Sequence, residues 1–141
     1  MKKLTLLLLI VSFSAQAQIK IPKEVTKARN SIVSIITYKN GVLNGNGTGV
    51  ITGENGEILA SSTIFLNSDS AIAIGTDGKI MPIMRIAGVN GTLDCLKAHL
   101  KQGKRLPAIS PSLSTVNVGE ELYLISYGVK NSGIIEPVRV A

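Results

Sequence analysis

Tryptophan is absent, and only two phenylalanines and three tyrosines occur in 141 residues. Proteins that grip single-stranded nucleic acid stack bases on aromatic rings along a basic groove. This chain lacks the rings, and its lysines and arginines form no dense block. Nucleic-acid binding is therefore excluded as an expectation. There is one cysteine, Cys95, so no internal disulfide can form. A lone cysteine in an apolar run reads as a small buried hydrophobe. A reactive thiol needs a cation or a base beside it, and the neighbour here is the anion Asp94. One histidine, His99, and scattered acidic residues supply no closed metal set. Asp69, Asp77 and Asp94 are not spaced as a calcium loop. No metal and no cofactor is expected. Helical periodicity, repeats and low-complexity stretches are missing too. Gly45, Gly47 and Gly49 depart from the dinucleotide fingerprint, whose third glycine falls one residue later and opens a helix. They read as a strand where chains pass closely.

The N-terminus carries a leader pattern. Lys2 and Lys3 precede an apolar stretch from Leu4 to Phe13, and Ala15-Gln16-Ala17 is a small-residue cleavage site. That is the arrangement of a secretory signal peptide, 1–17. The apolar stretch is too short for a membrane span, which needs about 20 residues. Cleavage after Ala17 removes two lysines, so Lys plus Arg falls from 15 to 13 against 9 acidic residues, and the net charge from +6 to +4. The expected location is periplasmic or extracellular, with no stable membrane span after cleavage.

From residue 31 the chain alternates short apolar runs with turn chemistry. Ser31–Tyr38 is dense in β-branched residues and predicts a first strand. Asn40-Gly41, Gly53–Gly56, Asp77-Gly78 and Asn90-Gly91 are hairpin turns, because Asn, Asp and Gly accept positive φ. Strands are expected over Val42–Ile51, Glu57–Ser61, Ala71–Thr76, Lys79–Gly88 and Asp94–Leu100, and later over Glu121–Tyr127 and Ile134–Val140. Glu24–Arg29 predicts a turn or two of helix within the lead-in segment 18–30. Ile64-Phe65-Leu66 is an apolar patch placed to close one end of a barrel. Lys101–Arg105 reads as a solvated basic loop, and Asn131–Gly133 as a further turn. Closely spaced short strands of this kind indicate a small all-β barrel or sandwich.

The order of several motifs resembles a known family. Gly47-Thr48-Gly49-Val50-Ile51 followed by Asn55-Gly56-Glu57-Ile58-Leu59 is similar to the opening of HtrA-type trypsin-like serine proteases. Asp77-Gly78, Gly88–Leu96 and Val118-Gly119-Glu120 with Leu124–Gly128 continue the likeness over roughly Ser31 to Gly133. The resemblance implies a trypsin-like, six-stranded antiparallel barrel over 31–105, a crossover linker over 106–118 and the start of a second barrel over 119–141.

The same resemblance implies a site. The family works with a serine nucleophile, a histidine base and an aspartate that orients it. Asp94 stands at the aspartate position. Thr63 stands at the histidine position, and a hydroxyl cannot serve as a base near neutral pH. The nucleophile motif belongs to the second barrel, and no such segment precedes Ala141. His99 lies five residues after Asp94, an odd spacing that puts the two on opposite faces of a strand. Asp94 without a histidine is expected to bond amides of its own turn. The resulting expectation is an exported, catalytically inactive protease homologue with a peptide- or protein-binding role. Exposed strand edges around Leu122, Leu124 and Ile134 predict strand addition or self-association. Two alternatives remain open here: a structural or adhesion β-domain, and the front of a longer trypsin-like endopeptidase.

Overall fold

The computed structural model describes residues 20–101, 103–127 and 133–141. The leader, and Asn131 and Ser132 of the last expected turn, lie outside the described residues. A short helix α1 (Lys23–Ala28) and a 3-10 turn (Arg29–Ser31) lead into the first strand. Six strands follow: β1 (Ile32–Lys39), β2 (Val42–Gly53), β3 (Glu57–Ala60), β4 (Ser70–Gly75), β5 (Ile80–Asn90) and β6 (Cys95–Leu100). They close into an antiparallel barrel in the order β1-β2-β3-β6-β5-β4. A separate antiparallel pair, β7 (Glu121–Tyr127) and β8 (Gly133–Arg139), comes after it. No helix among the described residues is long and apolar enough to cross a membrane.

The turns do what their residues allow. Asn40 and Gly41 both take positive φ, 51° and 76°, which matches the twist of a two-residue hairpin. Asp77 accepts the amide of Lys79, and Gly78 follows at φ 79°. The inward residues repeat every second position, as a pleated strand requires. Val33 and Ile35 from β1, Ile58 and Ala60 from β3, and Leu96, Ala98 and Leu100 from β6 form the core with Ile51, Ala73 and Met81. Thr37 continues the inward face of β1 and is fully buried. Gly49 lets β2 cross that core closely: a Cβ there would lie 2.6 Å from the end of Ile35.

Antiparallel topology sorts the connections between the two ends of the barrel. One end carries the β1–β2 turn, the β3–β4 connection and the β5–β6 turn. Ile64 and Phe65 pack against the core there, inside a 3-10 turn (Thr63–Phe65). Leu66, expected to join them, is exposed instead. The other end carries the β2–β3 and β4–β5 turns and the exit from β6. Leu106 and Ala108 close it, held as the Leu106 amide donates to the Glu54 carbonyl and the Ile109 amide to that of Ile51. Lys101, Lys104 and Arg105 of the basic loop are exposed, and Arg105 pairs with Glu54. The β7–β8 pair meets the barrel through Tyr127, whose amide donates to the Thr48 hydroxyl (3.2 Å) and whose hydroxyl donates to the Gly75 carbonyl (2.8 Å).

Candidate functional site

The site predicted from the resemblance lies where the β3–β4 connection meets the turn before β6. Ser61 to Phe65 leave β3 in a bend and a 3-10 turn. The segment is pinned at several points. The buried Thr37 hydroxyl donates to the Ile64 carbonyl at 2.8 Å, and the Asn44 side-chain amide donates to the Leu66 carbonyl at 2.9 Å. Asp69 secures its far end by accepting the Asn40 amide (2.5 Å) and the Ser70 hydroxyl (2.9 Å). The same bonds, the Asn40 amide foremost, hold the Asp69 carboxyl below its ordinary range.

Asp94 closes the other side. It sits at φ 46°, in the left-handed region that Asp tolerates better than most residues. From there its carboxylate points at the start of the β3–β4 segment. One oxygen accepts the Ser61 hydroxyl at 2.5 Å. The other accepts the Ser62 hydroxyl at 2.7 Å, the Thr63 amide at 2.8 Å and the Thr63 hydroxyl at 2.9 Å. The Asp94 carbonyl also accepts the Ser62 amide. Thr63 and Asp94, the two positions named from the sequence, are therefore brought into direct contact.

This arrangement corrects one expectation. Asp94 does not bond amides of its own turn. The local bond is made by Asn90, whose side-chain oxygen accepts the Leu93 amide at 3.1 Å. A left-handed backbone aims the Asp94 carboxylate across to another connection instead. Cys95 is likewise less enclosed than predicted: as the first residue of β6 it is half-buried. His99 lies near the far end of β6 from Asp94, opposite Glu57 and Arg85 in the two ladders.

The electrostatics follow from the donor count. Hydrogen bonds to an ionised carboxylate favour its charged form. The Ser61, Ser62 and Thr63 hydroxyls, with the Thr63 amide, hold the Asp94 carboxyl far below its ordinary range. Such a carboxylate is a weak base, so it cannot strip a proton from any of the three hydroxyls that it orients. Each of the three hydroxyls spends its hydrogen on Asp94. Elsewhere, no group of three His, Cys, Asp or Glu side chains among the described residues gathers as a metal-binding set.

Several parts of this site escaped sequence reasoning. Ser61 and Ser62 gave no motif, and the role of Asp69 depends on Asn40 from another hairpin. Thr37 did leave a signal: it is a polar residue at an inward position of an apolar strand, where an internal partner is required.

No protein-family model matches the chain, and no curated protein matches it. Its fold is that of the trypsin-like serine proteases, an all-β architecture with a closed six-stranded antiparallel barrel and a second, two-stranded sheet. The chain is similar to the crystal structure of the serine endoprotease from Yersinia pestis, with a TM-score of 0.75 at 17% identity. The match covers 88% of this chain and 46% of that one, so the chain spans less than half the length of its structural neighbour.

Proposed function

We propose that this protein is an exported, HtrA-like relative of the trypsin-like proteases that binds peptides and does not cleave them. The carrying observation is the contact between Thr63 and Asp94. Where the resemblance places an imidazole, Thr63 presents a hydroxyl and an amide, both donated to the carboxylate. Nothing at that position can accept the proton of a nucleophile and return it to a leaving group. A cluster of hydrogen bonds to Asp94 stands where the resemblance places a proton relay. The fold, the ordered motifs and the N-terminal leader pattern support an exported protease ancestry. Exposed strand edges and apolar residues support a binding role.

The test is direct. The purified protein is incubated with a fluorogenic peptide library and with a fluorophosphonate serine probe. The expected result is no hydrolysis above the level of the Asp94→Ala variant and no labelled serine. Hydrolysis that Asp94→Ala abolishes would refute the reading. Export is checked by fractionation and N-terminal sequencing, with Gln18 expected as the first residue of the exported form.

A further inference from the structure

The β4–β5 seam of the barrel is paired over a short stretch and then opens. Its register runs Ile74↔Ile80, Ala73↔Met81 and Ile72↔Pro82, and stops there. Pro82 brings no N–H to the ladder. Beyond it, β4 stays paired with β1 on its far side, Ala71 with Thr37 and Ser70 with Tyr38. β5 stays paired with β6 on its own far side, from Ile83 to Asn90. Register shifts between Ile83 and Arg85, and between Ile86 and Gly88, bend β5 along this stretch. Ser70–Ala71 and Ile83–Arg85 are thus left, among the described residues, as facing walls outside any common ladder.

Between those walls lies a groove of about 220 Å³ whose lining includes Phe65, Met84 and Ile86. Met84 and Ile86 are 62% and 52% exposed, although both are large and apolar. Two charged residues border the groove, Asp69 and Arg85. Asp69 already accepts the Asn40 amide and the Ser70 hydroxyl. Arg85 makes no ion pair among the described residues and is the one charged residue between Ile83 and Asn90. The groove therefore offers unladdered main chain, an apolar surface and a free cation.

We propose that this split seam is a peptide-binding groove. An extended segment enters between β4 and β5, hydrogen-bonds to their main chains, seats an apolar side chain against Phe65, Met84 and Ile86, and sets a carboxylate on Arg85. Main-chain pairing supplies affinity in strand addition, and side-chain pockets supply selection. The unpaired guanidinium makes the chosen side chain acidic, because Arg matches a carboxylate with two parallel donors. A second copy of the chain is a poorer occupant. A two-fold pairing of this groove with itself carries Arg85 toward its own counterpart, and like charges facing across strands repel. The inference rests on the peptide-binding reading above and assigns it a location.

The experiment is an amide chemical-shift titration of the whole protein with a blocked peptide of sequence Val-Glu-Leu-Glu-Val. The expected perturbations fall on Ser70, Ala71, Ile83, Met84 and Arg85, with slowed hydrogen exchange there. Arg85→Glu should weaken that probe by about fivefold, and a Val-Lys-Leu-Lys-Val probe should regain the loss. Alternate N-methylation of the probe should abolish binding, since it removes the main-chain donors without changing the protein. Shifts confined to Leu122, Leu124 and Ile134 would overturn the seam as the site and leave peptide binding standing. Shifts at the seam that grow with protein concentration alone would replace the peptide by a second copy. No shift with either probe would overturn the inference, and an empty peptide-library screen by the same titration would remove the binding reading as well.

Discussion

Thr63 gives Asp94 two donors to a single carboxylate oxygen, its amide and its hydroxyl, across 31 residues of sequence. The pairing joins the β3–β4 connection to the turn before β6. In an active triad that span is bridged by an imidazole, which must be free to gain and lose a proton. Here it is bridged by a short side chain with nothing to transfer. The contact acts as a clamp between the two connections.

The clamp carries a pH signature. Its hydrogen bonds lower the Asp94 pKa in the folded state. A depressed carboxyl stabilises the fold above its unfolded value of about 4, and that contribution is lost as pH falls below it. Asp94→Asn should lower the melting midpoint at neutral pH and narrow the difference from wild type as the pH is taken down through 4. Thermal melts of both proteins across that range check the sign. Equal acid slopes in the two proteins would remove Asp94 as a source of acid sensitivity.

Thr37→Val isolates the buried anchor of the same connection. The substitution keeps the shape but leaves the Ile64 carbonyl without the 2.8 Å bond from the Thr37 hydroxyl. Loss of the partner for this part-buried acceptor costs about 1 kcal/mol, the low end of the range for a buried one. Urea denaturation should show a lower midpoint with an unchanged slope.

Gly49→Ala tests the close crossing of β2 over β1. The new methyl would lie 2.6 Å from Ile35 and 3.1 Å from Val33, both fully buried. Overpacking of this kind costs about 1–3 kcal/mol. Gly41→Ala meets no atom within 4 Å but sits at φ 76°, so its cost is backbone strain alone. Guanidinium denaturation of the two variants separates steric crowding from conformational strain: adding Ile35→Val should relieve part of the first and none of the second.

The β7–β8 pair presents Leu124 at 52% and Ile134 at 44% exposure, with Leu122 and Val138 beside them. Apolar surface of this kind on a narrow sheet favours association. Light scattering behind size exclusion should show a mass that rises with concentration. The double substitution Leu124→Lys with Ile134→Lys should return it to that of one chain, and a concentration-independent single-chain mass in the unsubstituted protein would contradict the expectation.

The strands and turns were legible in the sequence because they are local. Asn40-Gly41 and Asp77-Gly78 can hardly be anything but tight turns, and inward residues such as Leu96, Ala98 and Leu100 repeat at the period of a pleat. The family-like order of those hairpins carried the barrel, and Thr63 and Asp94 came from aligning motifs by type. Nothing local said that Asp94 would turn left-handed and reach past its own turn, since that choice is settled by donors 31 to 33 residues away. The open β4–β5 seam was equally hidden. Both strands show good β pattern through the opening, and only the competing ladders to β1 and β6, with the proline between them, decide where the two part. Sequence alone determined which segments are strands and where the chain turns, because backbone preference acts on neighbours. Tertiary structure decided what the polar residues do, because a hydrogen bond is defined by the partner that the rest of the fold delivers.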